Sequence, residues 1–437
     1  MALPKVAIIP TGGTIQNGQP LVTSTKAGGG FNVLRAQRLH DPVTVNITNA
    51  DIDGNPLIDP SYRAVELRPE DGLYLLPYME PGHEPSKEYS SAHMAVERVV
   101  EEVNRFGVDT NGRNGLLAET ADLVVIHPID PETGVELRAG GETFTMGELA
   151  LISNTVNKAL GNEDVVAAVV THGTFTSEET AYFLNLTVNS DKPVIVSASQ
   201  RRHRSIGNDG DWNLVDAIRV AVSADAPGKG VMLVMDEQIF PAREVTKTNQ
   251  RPGGFMSSGG SALALGSVES DQVSFYFAST RRHTSRSGVL PDGEFTGDLP
   301  RVDVVKTYAG ADSVQIDALI GVTSADGACQ GMVVEGFAYS GAPHRFQRPA
   351  LERAVAEHGI PVALASRGDH GRVPRTQGDL FITCDNLMAI KARLLLTMAI
   401  RRLGPLSPYR RYDEPTPDEI DRLQSQIGEY QRLFDTH

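Results

Sequence analysis

The chain has 437 residues, 40% of them hydrophobic and 22% charged, a globular composition long enough for two or three domains and unlike that of a disordered chain. With 55 acidic residues against 40 Lys and Arg, the formal charge of −15 repels phosphate backbones and argues against a nucleic-acid partner. Two cysteines, Cys329 and Cys384, exclude a disulfide scaffold and an all-cysteine zinc site.

Met1-Ala2-Leu3-Pro4-Lys5 passes at once into an apolar run at 6–9, too short for a secretory h-region or a membrane span. A soluble, cytoplasmic protein with no membrane association is the expectation. Runs 6–9, 123–126, 165–170, 194–197 and 231–235 are apolar without strict alternation, as in strands covered on both faces. Helical spacing lies between them, over 145–160, 178–186 and 213–222. Strand, helix, strand predicts a parallel α/β sheet with its functional loops at the carboxyl ends of the strands.

This larger α/β domain is expected over 1–276, with an insertion at about 40–135. The insertion mixes Asp-Gly and Asp-Pro turns with one amphipathic helix, 93–104, whose Glu97, Arg98, Glu101 and Glu102 read as a solvated face. A Ser-, Arg-, Gly- and Pro-rich stretch, 277–303, reads as a linker. A smaller α/β domain, 304–405, follows, with strands at 316–322, 332–337, 361–366 and 380–383 and helices at 349–358 and 387–403. In the tail, 406–437, Thr416-Pro417-Asp418-Glu419 is a capping box with Pro at the first helical position. Ile420, Leu423, Ile427 and Tyr430 then form one apolar face that docks on the protein or on a neighbouring subunit.

Three segments concentrate Gly, Thr and charge directly after or soon after strands. Thr11-Gly12-Gly13-Thr14-Ile15 allows a tight turn with backbone N–H groups pointing past the strand end, beside a hydroxyl. It suits a nucleophile with an oxyanion hole, and equally a plain βα turn. Thr171-His172-Gly173-Thr174-Phe175-Thr176-Ser177-Glu178-Glu179 places hydroxyls at a helix start, where Thr176 or Ser177 could serve merely as an N-cap. Val245-Thr246-Lys247-Thr248-Asn249 offers a Lys which, stripped of water, loses basicity and takes a proton from a hydroxyl. The 11 histidines show no metal-ligand spacing.

Together these segments resemble the bacterial-type L-asparaginase family. Thr-Gly-Gly-Thr-Ile, His-Gly-Thr-x-Thr-x-Glu-Glu-Thr-Ala and Val-Thr-Lys-Thr-Asn occur here in that order. Asn208-Asp209-Gly210-Asp211-Trp212-Asn213-Leu214 is similar to a further family segment, and Lys391-Ala392-Arg393 to the family's C-terminal Lys-Ala-Arg helix. The similarity covers nearly the whole chain except about 25–135. It implies an amide hydrolase of two α/β domains, needing no metal or organic cofactor, and a homodimer or homotetramer with sites at subunit contacts. It implies Thr14 as the nucleophile, Thr174 and Lys247 as an assisting hydroxyl–amine pair, and backbone N–H groups near Gly13, Thr14 or Thr174 as the oxyanion hole.

The departures fall in the substrate pocket. The family motif has an Asp after the Thr matching Thr174, and that Asp holds the substrate's α-amino group; here the position is Phe175. A phenyl ring cannot balance an ammonium. The family's Ser-Gln substrate pair aligns with Gly141 and Glu142, and its mobile-loop Tyr has no counterpart near Thr25, Lys26 and Phe31. These losses predict an amidohydrolase acting on a small amide without a free α-amino group: a cyclic amide, an imide or an N-substituted amide. The alternatives are a true asparaginase or glutaminase, with Glu142 or Asp209 supplying the missing carboxylate, and a non-catalytic small-molecule-binding protein on this fold. The clusters Arg201-Arg202-His203-Arg204 and Arg281-Arg282-His283 suit ion pairs, or the anchoring of a substrate carboxylate.

Overall fold

The computed structural model describes residues 2–18, backbone stretches 22–26, 30–33, 43–45, 65–67 and 92–93, and residues 96–437 except 108–114, 138–140, 142, 204–206, 251–252, 258–263, 270–271, 291–293, 296, 323–326, 369–370 and 376–377. Much of the expected insertion lies outside the described residues.

Strand β1 (Lys5–Pro10) is buried on both sides, with Val6 and Ile8 in one core and Ala7 and Ile9 in the other. Helix α1 (Val96–Phe106) precedes β2 (Asp122–Val125), and α2 (Met146–Leu160) leads into β3 (Val165–Thr171). Helix α3 (Ser177–Thr187) leads into β4 (Val194–Ser197), and α4 (Gly210–Ala221) into β5 (Val231–Met235). Strand β6 (Gln238–Pro241) turns back antiparallel, β7 (Val245–Lys247) and β8 (Phe255–Ser257) form a separate ribbon, and β9 (Gly266–Val268) and β10 (Val273–Phe275) close the edge. The eight-stranded order is β10-β9-β6-β5-β4-β3-β1-β2, with β1 to β5 parallel.

The chain passes from β1 to β2 and then back across β1 to β3. Helix α1 packs on the face of Val6 and Ile8, α3 on the face of Ala7 and Ile9. Connections that leave adjacent strands toward opposite faces open a crevice at their carboxyl ends, here between β1 and β3.

The smaller unit runs β11 (Val302–Lys306), α5 (Val314–Gly321), β12 (Gly331–Gly336), α6 (Arg348–Ala356), β13 (Val362–Ser366), β14 (Ile382–Thr383) and α7 (Ala389–Leu403). Its parallel sheet has the order β11-β12-β13-β14. The expected strand at 316–322 is instead helix α5: Ile316, Leu319 and Ile320 reach the core at helical spacing, which a short apolar run conceals. The first strand of this sheet begins at Val302, inside the stretch read as a linker, and that stretch itself packs. His283, Thr284, Val289 and Leu290 are buried, and Phe295 stacks on Phe183 at 5.4 Å. One core cluster joins α2 and α3 to the smaller sheet without a break.

The tail helix α8 (Pro417–Thr436) carries the expected capping box between Thr416 and Glu419. Leu423, Ile427 and Tyr430 are buried, but Ile420 is largely exposed and Phe434 completes the face instead. Among the described residues, no helix is long and apolar enough to cross a membrane.

Helix α1 is fastened through histidines. His203 lies between Glu102 of α1 (Nε2 to Oε2, 2.7 Å) and Asp211 of α4 (Nδ1 to Oδ1, 2.5 Å), so Glu102 is buried rather than part of a solvated face. His127 bridges Glu97 and Glu136 in the same manner, at 2.6 and 2.7 Å. A carboxylate on each ring nitrogen requires a proton on both. Burial pulls the His203 pKa down, but the hydrogen bonds and charges of Asp211 and Glu102 outweigh it and raise the value to about 9. A folded-state pKa above the ordinary 6.5 contributes stability that is full below about pH 6.5 and lost as pH rises through about 9. His203→Gln should therefore lower Tm by several degrees at pH 6.5, since breaking a buried pair costs about 3–5 kcal/mol. Thermal unfolding followed to pH 10 should show the gap to the natural protein closing; an unchanged gap would exclude the imidazolium as its source.

Candidate active site

The crevice is built from the turns after β1 and β3. Pro10 pairs with Thr171 across the two strands, and beyond them the N–H and hydroxyl of Thr11 both donate to the Thr171 carbonyl, at 3.1 and 2.8 Å. Gly12 and Gly13 take positive φ, 93° and 88°, which their sequence allows without the strain other residues incur. The Gly12 N–H donates to the buried Gln16 side chain, and Thr14 opens a short 3-10 turn, Thr14–Gln16, half-buried at the strand ends. At Gly13 a Cβ would fall 2.3 Å from the Gly173 nitrogen. The two turns that carry Thr14 and Thr174 thus touch backbone to backbone.

Thr174 is buried and accepts a hydrogen bond from Lys247 Nζ at 2.7 Å. Lys247 ends β7, and its own N–H donates to the buried Glu178 carboxylate of α3 at 2.7 Å. Burial lowers the Lys247 pKa from its ordinary value, against the opposing charge of Glu178. The ring of Phe175 is 66% exposed and its centroid lies 5.7 Å from Lys247 Nζ. The amine therefore sits between a hydroxyl and an aromatic face, with Glu178 as the nearby carboxylate that supports its charge.

His172 is fully buried, and burial lowers its pKa to about 4. Its Nδ1 lies 2.7 Å from the Gly173 carbonyl, which can only accept, so Nδ1 carries the proton. Nε2 then accepts from the Thr180 hydroxyl at 2.8 Å. With both nitrogens occupied, this imidazole braces the turn and is not placed to act as a base. Thr176 occupies the N-cap position of α3 but makes no side-chain cap bond; its hydroxyl donates to the Gly141 carbonyl at 2.7 Å. Gly141, at φ 91°, lies against His172, where a Cβ would fall 2.4 Å from Cε1. The segment aligned with the substrate pair thus does reach the Thr174 turn, through its backbone. Glu142 lies outside the described residues.

Asp209 is occupied elsewhere. Its carboxylate accepts the N–H groups of Gln200 and Arg201, at 2.8 and 2.7 Å, and fastens the loop after β4. Both arginine clusters bond to nearby protein groups: Arg201 donates to the Gly207 carbonyl, and Arg281 pairs with Asp385. Among the described residues, no group of three or more His, Cys, Asp or Glu could hold a metal ion. Sequence reasoning passed over Glu178 and Gln16. A Gln after a turn carries no signal separating it from ordinary polar residues, and Glu178 stands within the second motif without anything there that assigns it a role.

Residues 5–281 match the family model described as Asparaginase, N-terminal, and residues 301–405 the model described as Glutaminase/Asparaginase C-terminal domain. The chain is 34% identical over 265 residues to L-asparaginase 2 of Bacillus subtilis, covering 58% of this chain and 66% of that protein, just under two thirds of its length. It is 33% identical over 278 residues to a glutaminase-asparaginase of Acinetobacter glutaminasificans, covering 62% and 81%. A solved structure, a probable cytoplasmic L-asparaginase from Campylobacter jejuni, superposes over 99% of each chain with TM-score 0.67 at 22% identity, a likeness of fold.

The contact at Gly13 gives a direct test. Gly13→Ala should cut turnover by at least about 100-fold, because misplacing a reacting group by about 1 Å costs that much. Turnover within a few-fold of the natural protein, at unchanged Tm, would show that the two turns need not touch.

Proposed function

The chain belongs to the asparaginase family, and from that premise we propose an amidohydrolase that uses a threonine nucleophile on a small amide lacking a free α-amino group. Cyclic amides, imides and N-substituted amides form that class. The observation that carries the substrate reading is Phe175. Where the family motif places an Asp to hold the substrate ammonium, an exposed phenyl ring stands beside the amine of Lys247.

In the proposed reaction Thr14 Oγ attacks the amide carbon, and its proton passes through Thr174 to the free amine of Lys247, which later returns it to the leaving nitrogen. Backbone N–H groups of the Gly13–Thr14 turn face the developing oxyanion. The C–N bond then breaks, and the nitrogen leaves with a proton. Water, deprotonated through Thr174 and Lys247, releases the acid from the acyl-threonine. Burial lowers the Lys247 pKa, which enlarges the fraction of free amine able to take that proton at neutral pH. Phe175 offers an apolar wall to a ring or an N-substituent. Assembly as a homodimer or homotetramer in the cytoplasm, with no nucleic-acid or membrane partner, belongs to the same proposal.

The names of the relatives favour a second reading, hydrolysis of asparagine or glutamine. One panel separates the two. Purified protein and its Phe175→Asp variant are offered linear and cyclic amides with and without an α-amino group, and released amine or ring-opened acid is measured. The first reading expects cleavage of amides without the amino group and a shift toward asparagine in Phe175→Asp. Preferential cleavage of asparagine by the natural protein supports the second reading. Lys247→Met should lower kcat by about 10²–10⁴, the range of a lost general base. Thr14→Ala should abolish turnover. Ligand binding without cleavage of any amide would overturn both readings in favour of a binding protein.

A further inference from the structure

We infer that Lys391, on helix α7 of the smaller unit, is a positioning residue for Lys247: its ammonium holds the turn between β6 and β7 in the place that sets Lys247 Nζ on Thr174. The inference rests on the reading of Thr174 and Lys247 as the assisting pair.

Lys391 is fully buried. Its Nζ donates to the carbonyls of Ala242 and Arg243, each at 2.9 Å, and to that of Val245. An ammonium has three N–H donors, and all three end on one short turn. Strand β7 comprises only Val245, Thr246 and Lys247, so the placement of this turn is passed directly to Lys247. Two residues further along α7, Arg393 pairs with Glu179 of α3 at 3.1 Å, next to the Glu178 that accepts the Lys247 N–H. One helix of the smaller unit therefore holds both the turn that leads to Lys247 and the start of the helix that follows Thr174.

A buried cation is a costly way to fasten a turn, and an apolar side chain of similar volume often serves stability as well or better. What the ammonium adds is direction, three bonds that fix three carbonyls at once. The groups facing it are Glu178 and Glu179 of α3, Arg243 and Glu244 of the turn, and the Tyr182 ring at 6.0 Å. Burial lowers the Lys391 pKa to about 8, with Glu178, Glu244 and Glu179 opposing and Arg243 assisting. Above that pH a neutral amine has two N–H groups for three carbonyls, and the turn loosens. The global effect has the opposite sign: the fold disfavours the charged amine, so titrating Lys391 does not lower the stability of the protein as pH rises between about 8 and 10.5. A turn that loosens without any loss of Tm traceable to Lys391 is thus the signature of positioning.

The experiment uses the full chain. Hydrogen exchange of the 242–248 backbone, corrected for intrinsic rates, is followed from about pH 7 to pH 9.5 in the natural protein, Lys391→Arg and Lys391→Met. This readout needs no turnover, so it stands even if no amide is found to be cleaved. The natural protein should lose about tenfold protection across this range and Lys391→Arg, whose guanidinium stays charged, should not, while the Tm of the natural protein falls no further than that of Lys391→Arg, since both share the titration of His203. On the best amide of the panel, Lys391→Met should lower kcat by about 10–100-fold with KM within about threefold, and Lys391→Arg should recover most of it. Constant protection through pH 9.5 in the natural protein would overturn the inference. So would a folded Lys391→Met with natural exchange and natural kcat. If Lys391→Met does not fold, the exchange of the natural protein and of Lys391→Arg decides the matter.

Discussion

The structure depends on a place where two backbones meet without side chains between them. Gly13 lies against Gly173, and a Cβ on Gly13 would fall 2.3 Å from the Gly173 nitrogen. Parallel pairing of β1 with β3 brings the strand ends level, and the two hydrogen bonds that Thr11 donates to the Thr171 carbonyl carry that register past the sheet. Backbone contact at this point brings Thr14 and Thr174, far apart in sequence, to neighbouring turns. His172 and Thr180 stiffen the second turn from behind, while Thr176 ties it to Gly141.

The smaller unit acts on the same place from a distance. Its helix α7 shares a core with α2 and α3, so apolar packing brings the helix to the interface. Polar groups then set the fine position. Lys391 binds the turn ahead of Lys247, and Arg393 binds Glu179 at the start of α3. Packing of this kind tolerates small shifts, whereas three hydrogen bonds from one ammonium do not. That division explains how a lysine with no exposed surface can sit in the middle of an otherwise apolar helix face.

The five parallel strands of the larger sheet were legible because each is a short apolar run, and parallel strands covered on both faces need little else; its antiparallel strands β6, β9 and β10, only three or four residues long, were not. The capping box at Thr416 was equally readable, since it is local. What failed was whatever depends on distant partners. Glu102 reads as solvent-facing on its own helix and is buried only because His203, from the loop after β4, lies against it. Residues 316–322 look like a strand until the neighbouring sheet shows which side is covered. The hydroxyl–amine pair could be named from motifs, but its 2.7 Å contact could not. The bracing role of Gln16 has no signature in the sequence, and Glu178, although it stands in the second motif, carries nothing there that points to the Lys247 N–H.

In the proposed reaction Phe175 links substrate choice to basicity. A carboxylate at that position would do two things to its surroundings: hold a substrate ammonium, and favour the charged form of the nearby Lys247. A phenyl ring removes the first entirely. It keeps a weakened form of the second, because an aromatic face 5.7 Å from Nζ attracts a cation less strongly than a carboxylate does. Glu178 remains to raise the Lys247 pKa, and burial overrides it. The amine is thus left closer to its neutral, proton-accepting form than a carboxylate neighbour would allow. A substrate that brings no ammonium of its own also adds no positive charge beside Lys247, which the missing carboxylate would otherwise have had to offset. In the proposed reaction, then, the change that gives up the α-amino group and the change that frees the base are the same change, and neither requires the threonines to move.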